Sequence, residues 1–230
     1  MRFVNAVSLS TVAFTAFIGL CGTAAPAAAG AITYDFTLDQ CSSGGCGLSN
    51  YGSVLVTDIV GGGVTVHVSL LGGSGLVHTG ALSQHTMVFN LAGSPAIDIT
   101  GLPSAAWTYT AQTSFTPSSG FFGTFNTLID CNAACGPSAP YTAPLDFTIT
   151  TTSITTASFL NGGTAANAFF VADISNPNGD LPTLTGRIGA TTGVDINPLI
   201  PVPEPLTVSL FGAGIAGLVA SRRRKKVLPE

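Results

Sequence analysis

The central part of this chain, residues 30–200 (called the body below), has almost no basic residues. It holds nine aspartates against one arginine, Arg187, and no lysine, so its formal charge is −8. Nucleic-acid binding requires clustered Lys and Arg that displace counterions from the phosphates, and the body cannot supply them. Anionic membrane headgroups would repel it as well. The partners left open are neutral glycans, cations and other proteins.

The body also has no glutamate and is poor in other residues that favour helices. Thr, Val, Gly, Phe and Ser dominate instead, which is typical of strands and turns. Glycoside hydrolysis needs two carboxylates across a cleft, and the aspartates are scattered along the chain. Ser69 or Ser83 could be grouped with a histidine and an aspartate, but no Gly-x-Ser-x-Gly motif marks a nucleophile. The composition predicts a β protein and gives an enzyme no specific support.

Alternation of apolar and polar residues predicts about ten strands. Val64, Val66 and Val68 alternate with polar residues, and predicted strands cover residues 32–38, 54–60, 64–69, 87–91, 96–100, 107–111, 145–150, 169–174 and 184–188. Phe121 and Phe125 are expected to share one face of a further strand with Ile129. Turns rich in Gly and Pro separate these segments. We therefore predict an all-β fold, a single antiparallel β-sandwich or jelly-roll domain over residues 30–200, with one short helical turn within 154–160.

The N-terminal segment, residues 1–29, has the three parts of a secretory signal peptide. Arg2 supplies the positive region, residues 12–21 form the apolar core, and Ala27-Ala28-Ala29 offers the small residues that signal peptidase accepts. An alternative cut follows Ala31. Cys21 is preceded by Leu20 where lipidation requires a small residue, so we reject a lipoprotein. A signal helix that is removed on export is predicted.

The C-terminal segment, residues 201–230, combines an extended motif, a short apolar run and a basic cluster. The motif is Val202, Pro203, Glu204 and Pro205, and the cluster is Arg222, Arg223, Arg224, Lys225 and Lys226. The uncharged run between them, 206–220, would rise about 22 Å as a helix, which is short against a hydrocarbon core of ~30 Å. The prolines keep the motif extended, and the basic residues would hold the C terminus in the cytoplasm. A short transmembrane helix is predicted; a plain tail anchor is the alternative.

This tail resembles a PEP-CTERM sorting signal: Val202-Pro203-Glu204-Pro205, a short Gly-rich apolar run and an Arg/Lys cluster follow in that order. The resemblance implies a substrate of exosortase, a membrane protease or transpeptidase of Gram-negative bacteria. It further implies transient residence in the inner membrane, then a place at the cell surface or in the extracellular matrix, with a link to exopolysaccharide and biofilm. The body is similar, less specifically, to a recurrent group of PEP-CTERM proteins that have no assigned activity.

Four cysteines remain after the signal peptide: Cys41, Cys46, Cys131 and Cys135. An exported chain meets an oxidising compartment, so disulfides are predicted, with three possible connectivities. Pairing within each close pair would close small loops and stabilise less than a long-loop bridge. A Cys₄ zinc site is the alternative, but no neighbouring base stabilises thiolates and the first pair is spaced widely for zinc ligands.

One stretch of the body offers oxygen ligands for a metal. Its candidate ligands are Asp173, Asn176, Asn178 and Asp180, which surround a glycine turn and suit calcium. The spacing is not that of an EF-hand, and a polar hairpin turn is the alternative. The chain has three histidines, His67, His78 and His85, which would form a metal site only if they converged. No other cofactor is predicted.

The leading hypothesis is an exported, non-enzymatic surface or extracellular-matrix protein associated with exopolysaccharide. The first alternative is a carbohydrate- or calcium-binding module, in which Trp107 and Tyr109, alternating on one face, form a sugar-stacking platform. The second alternative is a secreted hydrolase. Signal peptidase and exosortase are the predicted processing enzymes.

Overall fold

A computed structural model describes residues 30–41, 48–79, 85–117, 120–151, 153–175 and 185–195 of the chain. The predicted signal peptide and C-terminal tail lie outside these residues. Within them the chain consists of antiparallel strands, connecting turns and two short 3₁₀ turns, Asn132–Ala134 and Thr156–Ser158. None of the described residues belongs to a helix long and apolar enough to cross a membrane.

Twelve strands occur in the described part of the chain. They are β1 Ala31–Cys41, β2 Gly52–Asp58, β3 Val64–Leu70, β4 Gly75–Leu76, β5 Met87–Leu91, β6 Ile99–Thr100, β7 Thr108–Phe115, β8 Phe125–Asp130, β9 Leu145–Ile149, β10 Phe159–Leu160, β11 Phe170–Ser175 and β12 Thr185–Asp195. The predicted all-β class is confirmed. The sequence pattern does not predict β4 and β10, because a strand of two residues is too short to show alternation.

Strand β3 shows how the alternation selects the buried face. Val64, Val66 and Val68 are buried, whereas Thr65 and His67 between them face outward. Buried and more exposed residues alternate in the same way in the neighbouring strands β2 and β9, which pair with β3 on either side. Each buried valine contributes about 1.5–3 kcal/mol relative to an exposed one, so the hydrophobic pattern determines which face turns inward.

All strands join in one antiparallel sheet with the order β6-β9-β3-β2-β1-β12-β11-β5-β8-β7. The short strands β4 and β10 lie off this path and pair with β11 and β5. The two longest strands, β1 and β12, lie next to each other near the middle, and their ladder contains two register shifts. Such irregularities increase local twist and allow a sheet to curl.

The two ends of the sheet come together. β6 and β7 lie at opposite ends of the strand order, yet Tyr109 in β7 donates a hydrogen bond of 2.9 Å to Asp98, just before β6. This bond and burial raise the pKa of Tyr109. Inside, Phe89 of β5 stacks on Phe147 of β9 with ring centroids 6.1 Å apart. The sheet is therefore nearly closed on itself, and the predicted sandwich-like fold is confirmed.

The main hydrophobic core lies inside the curled sheet, between its two facing halves. Phe89 is at its centre, with ring centroids 5.8 Å from Phe159 and 5.6 Å from Phe170 in addition to its contact with Phe147. The largest fully buried side chains of this core are Tyr34, Phe36, Tyr51, Leu76, Phe89, Met87, Leu91, Ile129 and Phe170.

A second, smaller core covers the opposite face of strands β5, β8 and β11. Its buried members are Val88, Phe122, Phe125, Leu128, Ala168 and Val171. The prediction that Phe121, Phe125 and Ile129 share one face is wrong. Phe121 is 41% exposed in a turn, Phe125 packs in the second core and Ile129 in the main core. Period-two reasoning fails here because the run crosses a turn and a register shift between β7 and β8.

Candidate functional site

The connection from β4 to β5 carries the most concentrated group of polar side chains that the structure describes. It is held at both ends by buried or half-buried aspartates. Near its start, the Thr79 N–H donates to Asp173 Oδ2 at 3.1 Å, and the Thr79 hydroxyl binds the same oxygen. Near its end, the Thr86 N–H donates to Asp130 Oδ1 at 3.0 Å. Residues 80–84 between these anchors lie outside the described residues.

Two histidines of this connection converge on Asp130 at the end of β8. We call His78, His85 and Asp130 the histidine–aspartate cluster. His85 Nδ1 lies 3.0 and 3.1 Å from the two carboxylate oxygens, and His78 Nδ1 lies 3.9 Å from Oδ1. The three side chains are 22%, 23% and 16% exposed for His85, His78 and Asp130. The His85 ring also packs edge-on against Phe115, with centroids 4.6 Å apart.

The chemistry available to the cluster follows from this geometry. A carboxylate that binds an imidazole Nδ1 fixes the ring orientation and its tautomer, as required of a general base. Ser83, the serine nearest in sequence, lies outside the described residues, and Ser69 lies opposite Ser53 in another part of the sheet. Among the described side chains, no group of three or more His, Cys, Asp or Glu has the arrangement of a metal site.

His67, the third histidine, lies apart from the cluster. It faces outward from β3 and pairs across the sheet with Asp146 of β9, with Nδ1 to Oδ1 at 2.6 Å. Both side chains are largely exposed, so this is a surface cross-strand pair. The solvent-facing position that the alternation predicts for His67 is confirmed.

Asp173 lies fully buried in the middle of β11, opposite Arg187 of β12. Burial lowers the pKa of Arg187, and the negative charge of Asp173 opposes that shift. Arg187, the only arginine of the body, is half-buried opposite this buried carboxylate, whereas Asp98 and Asp146 are exposed.

Only one of the four predicted calcium ligands is within the described residues. Asp173 is that residue, and its carboxylate binds Thr79 inside the fold. Asn176, Asn178 and Asp180 lie outside the described residues. The calcium hypothesis stays a prediction.

The second cysteine pair forms a disulfide between Cys131 and Cys135, whose Cα atoms are 5.8 Å apart. It closes around the 3₁₀ turn Asn132–Ala134, directly after Asp130. Both cysteines are buried, and the Thr86 hydroxyl accepts from the Cys131 N–H at 3.0 Å and donates to Cys131 Sγ at 3.1 Å. Cys46 and the side chain of Cys41 lie outside the described residues, so the pairing of the first two cysteines stays a prediction.

The disulfide and the cluster belong to one structural unit. The His78 N–H donates to the Cys135 carbonyl at 2.9 Å, which attaches the start of the connection to the disulfide loop. The convergence of His78, His85 and Asp130 has no signal in the sequence, because Asp130 is 45 residues from His85 and reaches it only through the pairing of β5 with β8.

Of the two aromatic residues of the predicted sugar platform, Tyr109 is partly exposed and Trp107 is buried. Trp107 is 5% exposed and packs edge-on against Tyr141, with ring centroids 5.1 Å apart. An aromatic side chain that stacks on a glycan must present a free face, and this indole presents almost none. Trp107 is therefore part of the main hydrophobic core.

Comparison with known protein families identifies the C-terminal segment. The model of the PEP-CTERM protein-sorting motif matches residues 201–225. The match contains Val202-Pro203-Glu204-Pro205, the apolar run and the basic residues up to Lys225, which lie outside the described residues. No curated protein and no solved structure matches the chain.

The motif defines the class of this protein. A chain that carries a PEP-CTERM signal is exported through the cell envelope and processed by exosortase. This chain is therefore an exported exosortase substrate whose body is an antiparallel, sandwich-like β domain.

Proposed function

We propose that this protein is a non-enzymatic component of the cell surface or extracellular matrix of a Gram-negative bacterium, associated with exopolysaccharide. The PEP-CTERM motif at residues 201–225 carries the proposal. In this proposal signal peptidase removes residues 1–29, the C-terminal helix holds the chain in the inner membrane for a time, and exosortase then acts at the Pro-Glu-Pro motif. The body is delivered outside the cell as a folded domain.

The charge of the body supports this destination. An excess of aspartate with one half-buried arginine keeps such a domain away from anionic lipid and nucleic acid. Neutral polysaccharide imposes no such repulsion. A disulfide-linked β domain also suits an oxidising exterior.

The contacts of the histidine–aspartate cluster support a structural role in preference to a catalytic one. Asp130 accepts from the Thr86 main chain as well as from His85, and the adjoining disulfide loop binds the His78 main chain. These bonds attach the β4–β5 connection to β8, as a fold-stabilising network would. The decisive comparison is hydrolysis of ester and glycan panels by mature wild-type protein and by His85→Ala. No turnover by wild type is expected; turnover that the variant loses would establish the hydrolase instead.

Processing of the tail is tested in the native host. Glu204→Gln and Pro205→Ala are expected to leave the tail attached and the protein in the membrane fraction, because they alter the tetrapeptide that exosortase recognises. Pro198→Ala, a proline substitution outside the matched residues, is the matched control and should be processed normally. Intact mass spectrometry of the wild type should show a C terminus near residues 202–206. Retention of Arg222 and the residues after it in the wild-type protein would show a plain tail anchor.

The matrix association is tested separately. Mature protein should co-sediment with exopolysaccharide isolated from the same host and should be lost from the matrix of a strain that makes no polysaccharide. Equal recovery from both strains would leave export intact and exclude the polysaccharide partner.

A further inference from the structure

The first described residue of the body, Gly30, lies against a carboxylate. Gly30 N is 3.2 Å from Asp58 Oδ2, and the Asp58 N–H donates to the Gly30 carbonyl at 2.8 Å. Gly30 directly precedes β1 and Asp58 ends β2, so this contact closes the last rung of their ladder beyond the pair of Ala31 and Thr57. The first backbone nitrogen of the body therefore lies within hydrogen-bond distance of an aspartate side chain.

The Asp58 carboxylate is held in place from a second side. The Thr156 N–H donates to Asp58 Oδ1 at 2.6 Å, and the Thr156 hydroxyl lies 3.5 Å from Oδ2. Thr156 begins the 3₁₀ turn that precedes β10. One oxygen thus binds the turn and the other points at Gly30 N. The carboxylate is half-buried, so solvent and salt still reach part of it.

A side chain at position 30 would press against this carboxylate. A Cβ atom at residue 30 would lie 2.7 Å from Asp58 Oδ2 and 3.1 Å from Thr156 Oγ1. Any other residue would displace the carboxylate from the nitrogen.

We propose that signal peptidase cuts between Ala29 and Gly30 and that Asp58 is the binding site for the α-ammonium group so released. Hydrolysis of the Ala29–Gly30 peptide bond adds one water; the carboxylate leaves with Ala29, and the amine stays on Gly30 and takes up a proton at neutral pH. A neutral amide N–H then becomes a cation 3.2 Å from Asp58 Oδ2, and the hydrogen bond becomes an ion pair. The inference rests on the proposed export by signal-peptide cleavage and adds a reason why one of the two possible cuts is productive.

The alternative cut after Ala31 would remove Gly30 and its bonds to Asp58. Asp58 would then keep Thr156 but lose its only described cation partner, and β1 would lose its first rung with β2. Processing at Ala29 therefore completes the fold at the point where β1 begins.

The first measurement is N-terminal peptide mass spectrometry of the protein from its native host. A mature chain that begins at Gly30 is expected. A chain that begins at Ile32 would overturn the inference while leaving export intact. A chain that retains residues 1–29 would overturn both the inference and the proposed export.

The second measurement is amine acetylation of the mature protein, quantified on its N-terminal chymotryptic peptide. The only lysines are Lys225 and Lys226, so the α-amine of Gly30 is the only primary amine of a tail-processed chain. Because a neighbouring carboxylate keeps the ammonium protonated, acetylation near pH 8 should be about tenfold slower in wild type than in Asp58→Asn. Asp146→Asn, an exposed aspartate in another part of the sheet, is the matched control and should react like wild type.

A salt series makes the test independent of how well the variant folds. Raising the salt concentration from 0.05 to about 1 M should speed acetylation of the wild-type α-amine several-fold, because salt screens a partly exposed ion pair. Equal rates in wild type and Asp58→Asn, or a wild-type rate that does not respond to salt, would overturn the pairing.

Discussion

Tyr34 provides a sharp test of how the main core is built. It is only 2% exposed in β1, and its ring lies against Phe169 and Phe170 with centroids 5.0 and 5.2 Å away. Burial raises the pKa of Tyr34 from its ordinary value of 10.0 to about 12, because the phenolate would lose its hydration. The substitution Tyr34→Phe keeps the ring and removes the ionisable hydroxyl.

The expected effect is a loss of stability at alkaline pH. The folded protein holds the Tyr34 proton more tightly than the unfolded chain does, so the free energy of unfolding falls as the pH rises. The contribution is complete below pH 10 and is lost by about pH 12. The full difference corresponds to about 3 kcal/mol, of which about 1 kcal/mol should be lost between pH 9 and 11.

The assay is urea unfolding of the mature wild-type protein and of Tyr34→Phe at several pH values between 8 and 11, followed by the fluorescence of the buried Trp107. Wild type should lose about 1 kcal/mol more than the variant between pH 9 and 11. Tyr109, whose pKa is also raised, is present in both proteins and cancels in the difference. Parallel pH profiles in the two proteins would refute the buried placement of the Tyr34 hydroxyl.

Three further substitutions test the core, the disulfide and the buried charge. Phe89→Ala should lower the free energy of unfolding by about 3–5 kcal/mol, because it leaves a cavity between three aromatic rings. A loss below ~1 kcal/mol in urea unfolding would contradict the packing of β5 against β9 across the core. Replacing Cys131 and Cys135 together by alanine should cost about 2 kcal/mol, the chain-entropy value for so short a loop, and a reducing agent should then destabilise the variant less than wild type in urea unfolding. Asp173→Asn should cost about 1.5–3 kcal/mol, because a neutral amide forms weaker hydrogen bonds with Thr79 than the buried carboxylate does. Asp146→Asn, 70% exposed, should change stability by less than ~1 kcal/mol.

The strands could be predicted wherever a single face is buried. Val64, Val66 and Val68 in β3 and the matching residues of β9 alternate in sequence because one side of each strand faces the core. For strands that are buried on both sides, the sequence does not predict which face each side chain occupies. β8 and β11 are almost continuously buried, so their alternation carries no information about which core each residue joins.

The candidate site could not be predicted in the same way. Nothing near His78 or His85 in sequence indicates Asp130, and nothing near Asp58 indicates Gly30. These pairs form through strand pairing between distant segments. The neighbours of Asp173 in sequence predict a calcium ligand, whereas in the fold its carboxylate binds Thr79 and its register partner on β12 is Arg187.

The sequence by itself determined the sorting signal and the fold class of this protein. A sorting motif is read as an extended peptide, and strand alternation is a local property, so both are visible in the order of residues along the chain. Only the tertiary structure decided which polar groups meet. The sheet brings Asp130 to His78 and His85, Asp173 to Arg187, and Asp58 to Gly30 across many residues, because antiparallel pairing sets contacts by register and not by distance in sequence.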